Sequence, residues 1–377
     1  MRILHIVNWY PNVIDGGAGP FIRRHVLALM PHAEQEVWHL EVRQAKGWRL
    51  ERLSLHADRT CMLVMPLNIW YLIEWVSTFM LLWAWWTRDR SRQYDLINVH
   101  IAYPLLTHLR LIRYFIRVPL VVTEQWSAYH FSFNSTSKGL DRIRRIFRND
   151  LPLICVSRAL GADIGTFAKR EDLRVHVVDN VAETAVFHPT ADATWTEGRF
   201  FALSGWRFPK RPDTLIEALA QVRAAGRPMR LRLGGNGPKM EAMKEAIARL
   251  GLAAHVDLLG HLSPEDAARE MRAAHAVLHA SDYETYCAVC AEALCCGTPV
   301  IASAVGGIRE YLEPGMGRQV ADNEAATWTS AILEMWDPTC TMDRQRISER
   351  MTARASTQAV GSRYADILHQ ILEGQAR

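Results

Sequence analysis

No sign of charge dominates this chain. Lysine and arginine number 44 against 40 aspartates and glutamates, a net charge of +4. So mild a balance offers no bulk attraction for nucleic acid, and none is expected as a partner. Cysteine is sparse and irregular, with seven in 377 residues. That spacing excludes a disulfide framework and points to a reducing, cytoplasmic compartment. No signal-peptide pattern precedes the strand-like run Arg2-Ile3-Leu4-His5-Ile6-Val7. No repeat of solenoid length recurs. A G-x-G-x-x-G fingerprint is missing too. The run Asp15-Gly16-Gly17-Ala18-Gly19-Pro20 has the wrong spacing and follows its strand too distantly. A nicotinamide-dependent reductase is therefore disfavoured.

What the chain has is alternation. Hydrophobic content of 49% and charged content of 22% are those of a globular protein. Its length exceeds what one core usually fills, so two domains are expected. Short apolar strands are expected at Ile3–Val7, Glu36–Glu41, Cys61–Met65, Leu96–His100, Leu120–Thr123 and Leu153–Val156. A second series comprises Phe200–Ser204, Arg230–Gly234, Val256–Leu259, Ala276–Ala280 and Pro299–Ala302. Helical patterns such as Phe21–Met30, Thr214–Ala225, Lys239–Leu250 and Pro264–Ala273 lie between them. Alternating strand and helix implies an α/β protein with parallel, doubly wound sheets. Periodicity fails in 181–198, so the expected domains are 1–185 and 195–355. A final helix in 356–377 is expected to pack back on the first domain.

Glu284 and Glu292 are the most informative pair. The run Ala276–Ala280 reads as a buried strand, and Tyr286–Cys296 as a helix stopped by Gly297. Glu284 then lies in a loop at a strand's carboxyl end, with Glu292 two turns along the helix. Eight residues at ~1.5 Å each separate them by roughly 12 Å. That is too far for an acid–base pair on one bond. It suits an extended ligand gripped at two points, with the helix N-terminus between them for a phosphate.

The surroundings sharpen this. Ser281-Asp282-Tyr283 precedes Glu284, and Glu292-Ala293-Leu294 carries the second carboxylate. Gly297-Thr298-Pro299-Val300-Ile301-Ala302 and Val305-Gly306-Gly307-Ile308-Arg309-Glu310 follow. The whole resembles the E-x7-E signature of retaining glycosyltransferases of family 4. The resemblance extends over nearly the whole chain and is strongest from Phe200 to Glu310.

It implies two Rossmann-like domains facing across a cleft, the GT-B type. The first would bind the acceptor, a glycan or lipid-linked molecule of cell-envelope polysaccharide assembly. The second would bind a UDP- or GDP-linked sugar, with no cofactor and no metal. Glu292 would hold the ribose and Glu284 the sugar hydroxyls. Lys210 matches the family's diphosphate lysine by its run into Asp213-Thr214-Leu215-Ile216-Glu217-Ala218. Gly205 stands where the family has an arginine, and Arg207 or Arg211 would substitute. Gly235 and Gly237 resemble the turn below the base, with a purely structural turn as the alternative. Tyr286, Cys287, Ala288 and Val289 would bring the helix entrance to the phosphates, with Gly306-Gly307 near the sugar. The family usually has glycine at Cys287. Gly16, Gly17, Gly19, His100 and Trp126 would shape the acceptor side. Gln125 stands where the family commonly has histidine. It cannot titrate, so the leaving phosphate would take the acceptor's proton. On this reading Glu284→Ala abolishes transfer and leaves the fold intact.

Other classes are weighed on the same residues. A non-catalytic nucleotide-sugar-binding module is the alternative that Gln125 motivates. An epimerase or phosphorylase lacks the grouped acid–base residues or the cofactor lysine. Cys287, Cys290, Cys295 and Cys296 invite a zinc reading, but four cysteines on different helix faces make small buried hydrophobes the expected role.

Asn68–Trp86 carries five of the chain's 13 tryptophans. Its length suits a membrane span, but Glu74, Ser77 and Thr78 interrupt it. With Arg88, Arg90 and Arg92 behind it, and Arg142, Arg144, Arg145 and Arg148 beyond, it reads as an interfacial helix. Peripheral docking on an anionic inner membrane face is the expectation; a core helix is the alternative.

Overall fold

The structure, a computed structural model, describes residues 1–11, 19–44, 49–51, 57–65, 69–131, 139–191, 194–337, 339–340 and 342–375. The chain divides into two compact units, Met1–Val181 with Val360–Arg377, and Ala182–Ala359.

The first unit contains β1 (Arg2–Val7), α1 (Pro20–Leu29), β2 (Glu34–Gln44), β3 (Arg49–Glu51), β4 (Arg59–Met65) and α2 (Trp70–Trp86). It continues with β5 (Leu96–His100), α3 (Leu109–Phe115), β6 (Leu120–Glu124), α4 (Leu140–Phe147), β7 (Leu153–Cys155), α5 (Arg158–Ala168) and β8 (Val175–Val177). Its sheet runs β3-β4-β2-β1-β5-β6-β7-β8. All neighbours are parallel except the β3–β4 pair. Strand β5 is buried at every position because a doubly wound sheet is covered on both faces. Its polar Asn98 is satisfied there: it donates to the Tyr364 hydroxyl at 2.6 Å and accepts from the Thr123 hydroxyl at 2.9 Å. Tyr364 belongs to the C-terminal helix, which these bonds tie to the first sheet.

Helix α2 is two-faced. Glu74, Ser77, Thr78, Leu81 and Ala84 are buried. Tyr71, Trp75, Phe79, Trp83 and Trp86 are 42–69% exposed. The first four of these recur every fourth residue, which aligns them on one helix face. Of the cations expected beside it, Arg142 reaches the buried Glu74 of α2 itself at 3.6 Å, whereas Arg144 pairs with Asp141 of its own helix at 3.1 Å. No helix among the described residues is long and apolar enough to cross a membrane.

The second unit contains β9 (Arg199–Leu203), α6 (Pro212–Ala224), β10 (Arg230–Gly234), α7 (Met240–Arg249), β11 (Val256–Gly260), α8 (Pro264–Ala273) and β12 (Ala276–His279). Then come α9 (Ala288–Cys295), β13 (Val300–Ser303), α10 (Ile308–Tyr311), β14 (Gly317–Val320), α11 (Ala325–Leu333) and α12 (Arg344–Ala355). The sheet runs β11-β10-β9-β12-β13-β14, all parallel. Phe200, Leu215, Leu231, Leu278, Ile301 and Trp328 share one core. Ser263 caps α8, accepting from Asp266 N–H at 3.1 Å, and Pro264 opens it. The chain winds outward from β9 to β11, then returns to β12 on the other side. The crevice outside β9 and β12 is therefore the switch point where ligands bind in such sheets.

The doubly wound parallel architecture is the expected one. The edge strands β3, β8 and β14 were not anticipated. Helix α9 starts at Ala288, not at Tyr286, because Cys287 turns into the left-handed region at φ 73°.

Candidate active site

The loops leaving β9 and β12 are laced together at the switch point. Lys210 and Ser281 form an isolated antiparallel bridge. Arg211 N–H donates to Ala280 O, and Asp282 N–H to Pro209 O, each at 3.0 Å. Lys210 thereby reaches Glu284, donating its ammonium to Oε1. His279, the last residue of β12, donates Nε2 to the same oxygen at 2.6 Å. One carboxylate oxygen holds two cations in a nearly buried setting.

The electrostatics follow. Burial works against the charged form of Glu284, but Lys210 and His279 outweigh it and bring the carboxyl down to about 2. Burial also opposes charge on His279, yet Cys287 and Glu284 raise it to about 9. Burial opposes charge on Lys210 as well, and Glu284 turns the net shift upward. At neutral pH all three are ionised. The stability His279 contributes is complete below its ordinary value of 6.5 and is lost as pH rises through about 9. The contribution of Glu284 is complete above 4.5 and is lost as pH falls through about 2. Cys287, brought down to about 5, contributes in the opposite sense over the same range and offsets the His279 loss. The alkaline fall in melting temperature is therefore expected in Cys287→Ser above pH 6.5, and adding His279→Asn should flatten that limb. An unchanged limb in the double variant would refute the assignment.

Several expectations change at this site. Gly306, at φ 46°, faces the Glu284 carbonyl so closely that a Cβ would stand 1.8 Å from its oxygen. Gly307 N–H donates to that oxygen at 3.0 Å. The pair holds the Glu284 backbone; the Gly307 amide is not turned to a sugar. Gly235 and Gly237 are likewise structural. A Cβ on either would strike the carbonyl oxygens of Ser204 or Trp206, at 1.9 and 2.4 Å. Gly235 N–H is already given to Gly260 O. Tyr286 is buried against Tyr311, with ring centroids 5.1 Å apart, so its ring is not a donor contact. The helical rise applies only from Ala288 to Glu292, about 6 Å, because residues 281–287 are not helical.

The structure also places the other residues expected on the donor side. Gly205 is exposed, and its Cβ position would lie 3.6 Å from Nε and Nη2 of Arg207. The Arg207 guanidinium thus lies over Gly205. Arg211 is held by Asp213 at 2.9 Å and Asp282 at 3.2 Å. Ala288 and Val289 form the half-buried first turn of α9, whose N–H groups lack intrahelical acceptors. Glu292 is buried further along the same helix. Because Lys210 and His279 share the Glu284 carboxylate, Glu284→Ala is expected to lower stability as well as transfer. His279 was missed as a site residue. A histidine ending an otherwise apolar strand at the switch point was its available signal.

In the first unit, His100 is not an acceptor contact. It is fully buried, 3.0 Å from His5 Nδ1 and 3.3 Å from Asn98 Nδ2, and burial holds it neutral. Gln125 Nε2 lies 3.0 Å from His25 Nδ1, and its buried Oε1 has no hydrogen-bond partner among the described residues. Gly19 is a close-approach glycine at φ 53°, where a Cβ would stand 2.5 Å from Trp9 O. Trp126 is half-buried, edge-on to Trp9 at 5.0 Å. Gly16 and Gly17 lie outside the described residues.

Residues 195–353 match the family described as Glycosyl transferases group 1. That stretch belongs to the glycosyltransferase family. The resemblance read from Glu284 and Glu292 is thereby borne out. D-inositol 3-phosphate glycosyltransferase of Nocardia farcinica is 34% identical over 173 residues, 44% of this chain and 37% of the relative. A phosphatidylinositol N-acetylglucosaminyltransferase component of Arabidopsis thaliana is 24% identical over 276 residues, 73% and 61% of the two chains. The match thus spans less than two thirds of either relative's length. Among solved structures, sucrose-phosphate synthase from Thermosynechococcus elongatus superposes with a TM-score of 0.77 at 18% identity, over 99% of this chain and all of that one. Anabaena HepE in complex with UDP and glucose gives 0.74 at 19% identity, over 98% and 100%. The fold is the GT-B type.

Proposed function

We propose that this glycosyltransferase-family protein transfers a sugar, with retention, from a UDP- or GDP-linked donor to a glycan or lipid-linked acceptor. The observation that carries the reading is the Lys210–Glu284–His279 cluster, set at a sheet switch point beside the start of α9. The donor diphosphate draws the Lys210 ammonium from Glu284. Glu284 is then able to accept hydrogen bonds from the sugar hydroxyls. Arg207, lying over Gly205, supplies the second cation. The first-turn amides of α9 complete the phosphate cradle. As the bond from anomeric carbon to phosphate oxygen breaks, negative charge grows on the leaving group, and the two cations stabilise it. They take the part a divalent ion plays elsewhere, so no metal is required. The acceptor oxygen bonds to the anomeric carbon on the same face, and its proton passes to the leaving phosphate. Glu292 holds the ribose. Incubation with UDP- and GDP-sugars tests the reading. A new glycosidic bond of retained configuration, with nucleotide release unaffected by chelator, supports it; an isomerised or unchanged donor refutes it.

We also propose that the first unit docks on an anionic lipid surface, the setting of a lipid-linked acceptor in cell-envelope assembly. The exposed α2 stripe supports this, together with Tyr114 and Phe115 on α3, 72% and 56% exposed. Arg88 and Arg90 line the same concavity as Phe79, Trp83 and Phe115. Aromatic groups at the headgroup level with basic groups beside them fit an anionic leaflet. Sedimentation with phosphatidylglycerol vesicles at low salt is expected. Binding should weaken with added salt and with Phe79→Ser plus Trp83→Ser. Absence of binding at low salt would end this proposal.

A further inference from the structure

The donor loop carries a second chemistry that sugar transfer does not use. Cys287 and Cys290 form a C-x-x-C pair at the start of α9, with their sulfurs 3.3 Å apart. Closing a disulfide requires an approach to about 2.05 Å, within reach of small side-chain rotations. The first cysteine caps the helix N-terminus, where the backbone dipole favours a thiolate. The sulfurs and an imidazole nitrogen of His279 all lie within 4.8 Å of one another. We propose that Cys287 and Cys290 are a redox-active dithiol, closed to a disulfide by peroxide and reopened by thiol reductants.

The environment divides the labour between the two sulfurs. Burial pushes the Cys287 thiol up, but Cys290 and the positive His279 bring it down to about 5. Burial and the neighbouring Cys287 push Cys290 well up, so it stays protonated. Burial drives Cys295 and Cys296 up to about 12, which leaves them inert. A metal ion at the pair is disfavoured. It would sit close to the Lys210 ammonium, whose charge acts on both sulfurs.

The steps balance. The Cys287 thiolate attacks one oxygen of hydrogen peroxide; the O–O bond breaks, and hydroxide leaves and is protonated to water. The resulting sulfenic acid is attacked by the Cys290 sulfur. The S–S bond forms, the S–O bond breaks, and a second water carries away the oxygen and the Cys290 proton. Two thiols are oxidised and one peroxide is reduced to two waters. The disulfide removes a negative charge from beside Lys210. On the donor-site reading, nucleoside diphosphate affinity therefore rises severalfold on oxidation.

Intact-mass and peptide analysis of the full chain after peroxide treatment tests the dithiol. A loss of about two mass units mapped to Cys287–Cys290, reversed by dithiothreitol, is expected. Cys290→Ser should instead accumulate a trappable sulfenic acid, a gain of about 16 mass units. Intact free thiols after treatment, a disulfide through other cysteines, or irreversible oxidation of Cys287 would overturn the proposal. The mass readout does not depend on nucleotide binding. Binding of UDP and GDP at equal strength in both redox states would refute the coupling while leaving the dithiol established.

Discussion

Glu284→Ala is expected to reduce sugar transfer by about 10³-fold or more and to lower stability at the same time. Both effects come from one atom. Oε1 is where the Lys210 ammonium and His279 meet, and on the proposed function the same carboxylate accepts the donor sugar hydroxyls. Removing it costs the interaction with that sugar and takes from two neighbouring cations their shared carboxylate, leaving the Cys287 thiolate as the negative charge beside them. Breaking a buried pair by deleting one partner costs about 3 kcal/mol. In a domain of this size that lowers the melting temperature by about 6–12 °C. The two effects separate by measuring product formation well below the variant's melting temperature. The double variant Glu284→Ala, Lys210→Met should recover part of the stability and none of the activity. Normal turnover by folded Glu284→Ala would refute its role.

Lys210→Ala is expected to weaken nucleoside diphosphate binding by about 10- to 100-fold, the value of one charge-assisted hydrogen bond to phosphate. Its stability cost should be smaller than that of Glu284→Ala, because Glu284 keeps His279 as a partner at 2.6 Å. This asymmetry distinguishes a three-membered cluster from two independent surface pairs. Calorimetric titration and thermal melting of the same samples read both quantities. Equal stability losses in the two variants, or unchanged nucleotide affinity in Lys210→Ala, would contradict the arrangement.

The legible parts of the sequence were those with a strong local pattern. Central strands such as Leu96–His100 and Leu120–Glu124 are covered on both faces, so their apolar runs stand out. The edges did not. β3, β8 and β14 are only three or four residues long, and Gly317-Arg318-Gln319-Val320 has the polar character of a strand half open to water. At the site, Lys210 and Glu284 were picked out separately, but their contact depends on the Lys210–Ser281 bridge, which no local pattern encodes. His279 was hidden in an apolar strand. Cys287 was read as helical because cysteine gives no warning of a left-handed turn, whereas the glycine usual in the family would have. His100 was misjudged for a related reason. A polar residue at a strand's carboxyl end suggests a binding surface, but here it closes a buried network with His5 and Asn98.

The most direct test is calorimetric titration of the protein with UDP, GDP and ADP, repeated with Glu292→Ala. Selective binding of UDP or GDP, lost in the variant, is the predicted result and would fix the donor site on the second unit. Binding of none of the three, or binding indifferent to Glu292→Ala, would contradict it.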